Sequence, residues 1–195
     1  RECYCSLFPE DSIAGETTPA YDLLPETRIA EIAELCPNAK IIYILRDPVE
    51  RAWSLAFKHL TNDRRSDIDD DPAGAIADYV TGEMRAEDSR LARAKYSQNI
   101  DRWRKYFDDS RVLVLFFDEM RTDPPAFFRK VESFLGVEQG KLPVYDTSYA
   151  KTRKSHGSGQ DYPMPDHVRR YLLDMYRDEI RELARRYGDY PQDWL

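Results

Sequence analysis

The sequence predicts an α/β domain built on a parallel sheet, and three observations carry that expectation. Residues 40–45 and 111–117 are short apolar runs, rich in β-branched and aromatic side chains, each leading into a helical pattern. Strands that alternate with helices pair in parallel, because the crossover helix returns the chain to the same end of the sheet. The 195 residues are 42% hydrophobic and 33% charged, enough apolar surface for one core with a solvated exterior.

Taken in order, after an irregular start, Gly15-Glu16-Thr17-Thr18-Pro19-Ala20-Tyr21 is a polar, turn-prone segment. A helix is expected over 26–36, with Ile29, Ile32, Ala33 and Cys36 on one stripe and Pro37 as its stop. The strand at 40–45 reads as covered on both faces. It ends at Arg46-Asp47-Pro48, where Pro48 has the fixed φ and missing N–H that suit a first helical turn. In the helix that follows, to about residue 60, Val49, Trp53, Ala56, Phe57 and Leu60 form the apolar stripe. Arg51, Ser54 and Lys58 share another face.

Residues 61–72 read as a solvated acidic loop, since Asp67, Asp69, Asp70 and Asp71 lack the placed glycine and bidentate glutamate of a calcium loop. Residues 73–106 are expected to be mostly helical, ending on the stripe Tyr96, Ile100, Trp103, Phe107. After the second strand, Asp123-Pro124 is an N-cap and first-turn pair. The next helix carries Phe127, Phe128, Val131, Phe134 and Leu135 inward and stops at Gly136. Residues 137–165 read as a long loop with the basic cluster 151–154, and a closing helix spans 165–187, with Val168, Leu172, Met175, Ile180 and Leu183 inward.

Composition excludes several classes. A net charge of −7 and a pI near 5.1 lack the basic footprint of a nucleic-acid binder. No apolar run approaches a membrane span and no signal peptide is visible, so a cytoplasmic location is expected. Three cysteines make no disulfide framework, and the Cys3-x-Cys5 pair has no companion ligands at zinc-like spacing. Cys36 is expected to pack in the core.

A strand, an abrupt turn and a helix with Arg46 at the junction form a common anion site in α/β proteins. A guanidinium and a hydroxyl converging on a helix end would grip a phosphate. The bland alternative for Arg46 is a structural ion pair at a helix N-terminus. The stretch 40–54 resembles the 3′-phosphate-binding element of the sulfotransferases that use PAPS (3′-phosphoadenosine 5′-phosphosulfate). There an Arg-Asp/Asn-Pro turn follows a core strand, and a serine stands eight residues after the arginine, as Arg46 and Ser54 do here. Further segments are similar to that family: Gly15 to Tyr21 to its G-E-x-[ST]-P-x-Y stretch, and Tyr96-x-x-x-Ile100-x-x-Trp103 to a helix near the nucleotide. The block from the second strand through Asp123-Pro124 to Phe134-Leu135-Gly136, and Trp194 near the end, match as well.

The resemblance implies a P-loop-like three-layer sandwich, a central parallel sheet flanked by helices, and transfer of a sulfuryl group from PAPS to a hydroxyl or amine. The nucleotide product is implied to be adenosine 3′,5′-bisphosphate, and the acceptor a small-molecule, carbohydrate or lipid-type compound. It assigns Arg46 and Ser54 to the 3′-phosphate and places Arg153 and Lys154 in a basic loop that folds over the cofactor. Tyr96 lies on the helix near the nucleotide, with core packing as its other reading. Glu16 is the in-chain candidate for the catalytic base, or a structural hydrogen-bonding residue. His59, one turn beyond Ser54, faces the acceptor or is simply a half-buried histidine. No metal site is expected.

Two departures stand out. Thr17 occupies the place of the lysine in the carbohydrate-type G-E-K-[ST]-P stretch. No Walker-type or other glycine/serine-rich phosphate loop follows an N-terminal strand. Residues 1–195 therefore read as a single sulfotransferase-like domain lacking its N-terminal part. The competing readings are a nucleotide-dependent small-molecule kinase of related fold and a non-catalytic interaction module.

Overall fold

The structure, a computed structural model, describes residues 13–63, 71–83, 93–140 and 162–195. A 3-10 turn at Pro19–Leu23 leads to α1 (Glu26–Leu35), β1 (Ile41–Leu45) and α2 (Pro48–Asp63). Then come α3 (Pro72–Asp78), a π-helical turn (Tyr79–Glu83) and α4 (Tyr96–Arg104). β2 (Val112–Phe116), α5 (Phe117–Thr122), α6 (Pro124–Leu135), α7 (Asp166–Tyr187) and the short α8 (Asp189–Gln192) complete the described order.

β1 and β2 pair in parallel, with Ile41 opposite Val112 and Leu45 opposite Phe116. In parallel register, paired residues point to the same face. Ile41, Tyr43 and Leu45 therefore join Val112, Val114 and Phe116 on the face that meets the core formed with α2, α4 and α7. The α2 stripe is buried as expected, from Val49 to Leu60, and so is the α4 stripe of Tyr96, Ile100 and Trp103 with Phe107 beyond it. On α7, Tyr176 is buried where the period named Met175, which is half-buried; the two share the edge of one stripe.

The two-sided covering expected of β1 is absent. Ile42 is 36% exposed and Ile44 50%, because among the described residues nothing lies over that half of the sheet's second face. An open cavity of about 840 Å³ runs along the outer edge of β1, lined by residues 14–19, Tyr21, Asp22 and Ile41–Ile44, with Trp103 in its wall.

Local chemistry explains the element ends. Asp123 accepts from the Ala126 N–H at 3.0 Å and caps α6, and Gly136 closes it at φ 77°, where its N–H meets the carbonyls of Glu132 and Ser133. Asp71, read as part of a solvated acidic run, caps α3 through the Gly74 N–H at 2.9 Å; Asp67, Asp69 and Asp70 lie outside the described residues. Strand β2 ends one residue sooner than expected, since Phe117 already opens α5, an end that an unbroken apolar run conceals. On α6 only Phe127 of the apolar set is fully buried; Glu132 is buried too, its carboxylate accepting from the Gly140 N–H at 2.9 Å. Cys36 is a half-buried free thiol at the end of α1, while Cys3 and Cys5 lie outside the described residues.

Candidate functional site

The junction of β1 and α2 is pinned from both sides. Leu45 and Val49 are fully buried, so the two residues between the strand and Pro48 have little freedom. Asp47 turns the chain into the helix: its Oδ1 accepts from the Val49 N–H at 2.8 Å and its carbonyl from the Arg51 N–H at 2.9 Å. The Tyr96 hydroxyl on α4 donates to the Arg46 carbonyl at 3.1 Å, fixing the backbone that aims the arginine.

The Arg46 side chain is half-buried, its Cζ 5.4 Å from the centre of the Phe117 ring. Among the described residues no carboxylate pairs with that guanidinium, so the ion-pair alternative has no partner there. Ser54, also half-buried, stands on the second turn of α2, and its hydroxyl has no hydrogen-bond partner among the described residues. A cation and a hydroxyl flanking a helix N-terminus, both reachable from solvent, can together hold an anionic ligand.

Burial sets the protonation of the neighbours. Desolvation pushes Asp47 up to about 6, against the stabilising Val49 N–H. The Tyr96 phenol is pushed up to about 12, again chiefly by burial, so it remains a donor to Arg46 across the physiological range. Asp22, beside the cavity, is held above the usual carboxylate range by burial, with the charges of Arg93, Arg51 and Arg102 opposing.

The other residues singled out by sequence take different places. Tyr96 is a core residue, 6% exposed, that meets Arg46 through its backbone. Glu16 lies on the exposed segment before the 3-10 turn, where the Tyr21 hydroxyl donates to its carboxylate. Thr17 beside it is exposed and lines the cavity. The His59 ring packs against Tyr79, centroids 5.0 Å apart, and is half-buried. Arg153 and Lys154 lie outside the described residues. The chain just after them is anchored on α2: the Trp53 indole donates to the Tyr162 carbonyl at 3.1 Å, Tyr162 packs on Phe57, and Arg169 pairs with Glu50 at 2.6 Å. Tyr162 thus rests against the helix that bears Ser54.

Sequence reasoning missed Phe117 beneath Arg46 and the arginines around Asp22, because no spacing along the chain signals either. Among the described residues there is no cluster of His, Cys, Asp and Glu that could hold a metal, and no helix is long and apolar enough to cross a membrane.

Comparisons with known proteins converge on one family. The profile of the sulfotransferase family matches residues 18–140. The chain is 32% identical to human bifunctional heparan sulfate N-deacetylase/N-sulfotransferase 3, over 84% of this chain and 21% of that protein. It is 25% identical to mouse heparan sulfate glucosamine 3-O-sulfotransferase 3A1, over 92% of this chain and 47% of that one. The chain thus spans about a fifth of the first relative's length and under half of the second's. A sulfotransferase crystal structure from Alicyclobacillus acidocaldarius superposes with a TM-score of 0.68 at 24% identity, covering 99% of this chain and 73% of its own, which shows a shared fold.

Proposed function

The chain belongs to the sulfotransferase family, and from that premise we propose that it binds PAPS and carries out sulfuryl transfer to a carbohydrate acceptor, with Arg46 and Ser54 holding the 3′-phosphate. The observation that carries this reading is the pair itself. A half-buried guanidinium that rests on Phe117 with no counter-charge among the described residues, and a half-buried hydroxyl with no hydrogen-bond partner there, stand at a strand–helix junction held by Asp47 and Tyr96. An arginine left without a counter-charge in a partly desolvated site is explained by an anionic ligand.

PAPS, when bound, supplies a sulfuryl group activated by its phosphate leaving group, and transfer parallels the in-line, loose displacement of phosphoryl groups. This chain's residues bind and orient. Arg46 and Ser54 fix the nucleotide end, Tyr96 holds Arg46 by its carbonyl, and the family resemblance assigns Arg153 and Lys154 to a basic loop over the phosphates. In this reading Glu16 is assigned as the base that takes a proton from the acceptor, and His59 is assigned to the acceptor side. A carbohydrate acceptor is favoured by the relatives, both named for heparan sulfate.

The test is a thermal-shift titration with adenosine 3′,5′-bisphosphate and adenosine 5′-phosphate. The bisphosphate should stabilise by about 2.7 kcal/mol at a hundredfold excess over Kd, and the monophosphate far less. Arg46→Ala should remove most of the difference and Ser54→Ala part of it, since charge-assisted bonds are roughly twice as strong as neutral ones. Equal shifts with both nucleotides would overturn the assignment. So would an Arg46→Ala protein that loses its fold yet keeps residual binding.

A further inference from the structure

The segment that carries Glu16 is short and irregular, and contacts from elsewhere in the fold position it. Residues 13–20 are all exposed, and the 3-10 turn Pro19–Leu23 is five residues long, with no side-chain cap and no buried residue. A turn that short does not fix its own backbone, and although Tyr21 and Leu24 pack partly buried against the core, non-directional packing leaves its carbonyls to be oriented by a donor. Beside the looser Arg93–Asp22 ion pair at 3.9 Å, the directional anchor comes from across the fold, from Arg102 on α4. The Arg102 guanidinium donates through Nη2 to the Asp22 carbonyl at 2.6 Å and through Nη1 to the Leu24 carbonyl at 3.0 Å. The same Nη2 donates to the Asn99 Oδ1 at 2.6 Å, one turn back on α4, so the fork is itself held in orientation. Asn99 is buried, as are Ile100 and Trp103 on either side of the arginine in sequence, which makes this helix face a rigid base.

We propose that Arg102 is the positioning residue for the Glu16-bearing segment, clamping its two downstream carbonyls so that Tyr21 and Glu16 are held at the mouth of the cavity beside β1. The inference rests on the reading of Glu16 as the base. The clamp is chemically specific: a planar fork of donors reaches two carbonyls and an amide oxygen at once, which the point charge of a lysine does not reproduce. Tyr21 then relays the placement, because its hydroxyl holds the Glu16 carboxylate from the turn that Arg102 grips. α4 thereby serves both halves of the site. Tyr96 at its first turn fixes Arg46, and Arg102 at its last turn fixes the segment of Glu16.

The experiment is a double-mutant cycle in the full-length protein, with Arg102→Lys, Arg102→Ala, Glu16→Gln and the two doubles. The readouts are kcat and KM for a glucosaminyl oligosaccharide, and affinity for adenosine 3′,5′-bisphosphate. Arg102→Lys should lower kcat/KM for the acceptor roughly tenfold to a hundredfold, the scale of a misplaced reacting group. Bisphosphate affinity should stay at the parent value, and Arg102→Lys should cost little or nothing further in the Glu16→Gln background. Arg102→Lys retains the charge near Asp22 and serves as the deciding variant if Arg102→Ala does not fold. Additive losses, a parallel fall in bisphosphate affinity, or an unchanged acceptor kcat/KM would each overturn the proposal. A silent Glu16→Gln would overturn it together with the base assignment, whereas failure of the donor-site reading shows separately, as no bisphosphate binding by the parent.

Discussion

At the scale of single residues, Arg46 and Asp47 illustrate how one turn separates two electrostatic tasks. The guanidinium, packed on Phe117, is left without a carboxylate among the described residues, and the adjacent carboxylate is turned inward to cap α2. Burial raises Asp47 from 3.8 to about 6, so the folded chain holds this proton more tightly than the unfolded chain does. Stability is therefore highest below about pH 4 as far as this group is concerned, and it falls as pH rises toward about 6. Asp47→Asn keeps an Oδ1 acceptor for the Val49 N–H and removes the titration. Urea denaturation at pH values across that window should show a shallower decline than in the parent and a more stable protein at neutral pH. Glu179 and Asp22, both raised by burial, leave a residual slope of the same sign. An unchanged slope in the variant would assign the titration to those two groups alone.

At the scale of elements, α6 and α4 are stabilised in opposite ways. The start and stop of α6 are local: Asp123 as cap, Pro124 at the first turn, and Gly136 in the left-handed region at the end. Asp123→Ala should cost about 1 kcal/mol, seen as a lowered midpoint in thermal or urea unfolding with nucleotide affinity unchanged. A loss of nucleotide affinity in that variant would tie α6 to the site instead. The N-terminus of α4 has no local side-chain cap. Glu179 on α7 supplies it from 82 residues away, accepting from the Ser97 N–H at 2.7 Å and from its hydroxyl at 2.9 Å. Arg186 adds a two-pronged ion pair to Asp101 on the same helix, at 2.6 and 2.9 Å. The helix that positions Arg46 is thus oriented by the C-terminal helix, a dependence that spacing along the chain does not carry.

At the scale of the whole molecule, the sheet is asymmetric. Its core face is covered by α2, α4 and α7, and among the described residues its second face is open over β1, with the cavity along the strand's outer edge. Residues 1–195 also contain no glycine/serine-rich phosphate loop after an N-terminal strand. We therefore expect residues 1–195 alone to transfer little or no sulfuryl group while retaining affinity for adenosine 3′,5′-bisphosphate. Losing a single preorganised donor at a developing charge typically lowers rate by ~10²–10³. The measurement is labelled-PAPS turnover by residues 1–195 beside an N-terminally extended protein, over a panel of sugar, phenol and lipid alcohols. Equal turnover by both would mean that residues within 1–195 hold the phosphosulfate.

The sequence by itself determined the α/β class, the two parallel strands, the α2 and α4 stripes, the ends of α6 and the Arg46–Ser54 spacing. Each of these is written in short-range chemistry: apolar period, a fixed φ at proline, a cap oxygen three residues from its N–H, a glycine able to adopt positive φ. Only the tertiary structure decided that Tyr96 meets Arg46 through its carbonyl, that Arg102 grips the turn after Glu16, and that Glu179 caps α4. It also left Ile42 and Ile44 in the open, where the apolar run of β1 predicted burial. The reason is common to all four. Hydrogen bonds across 50 to 82 positions, and the presence or absence of a neighbour over one half of a sheet face, depend on which elements come together in space, and side-chain periodicity is the same whether or not a neighbour is there.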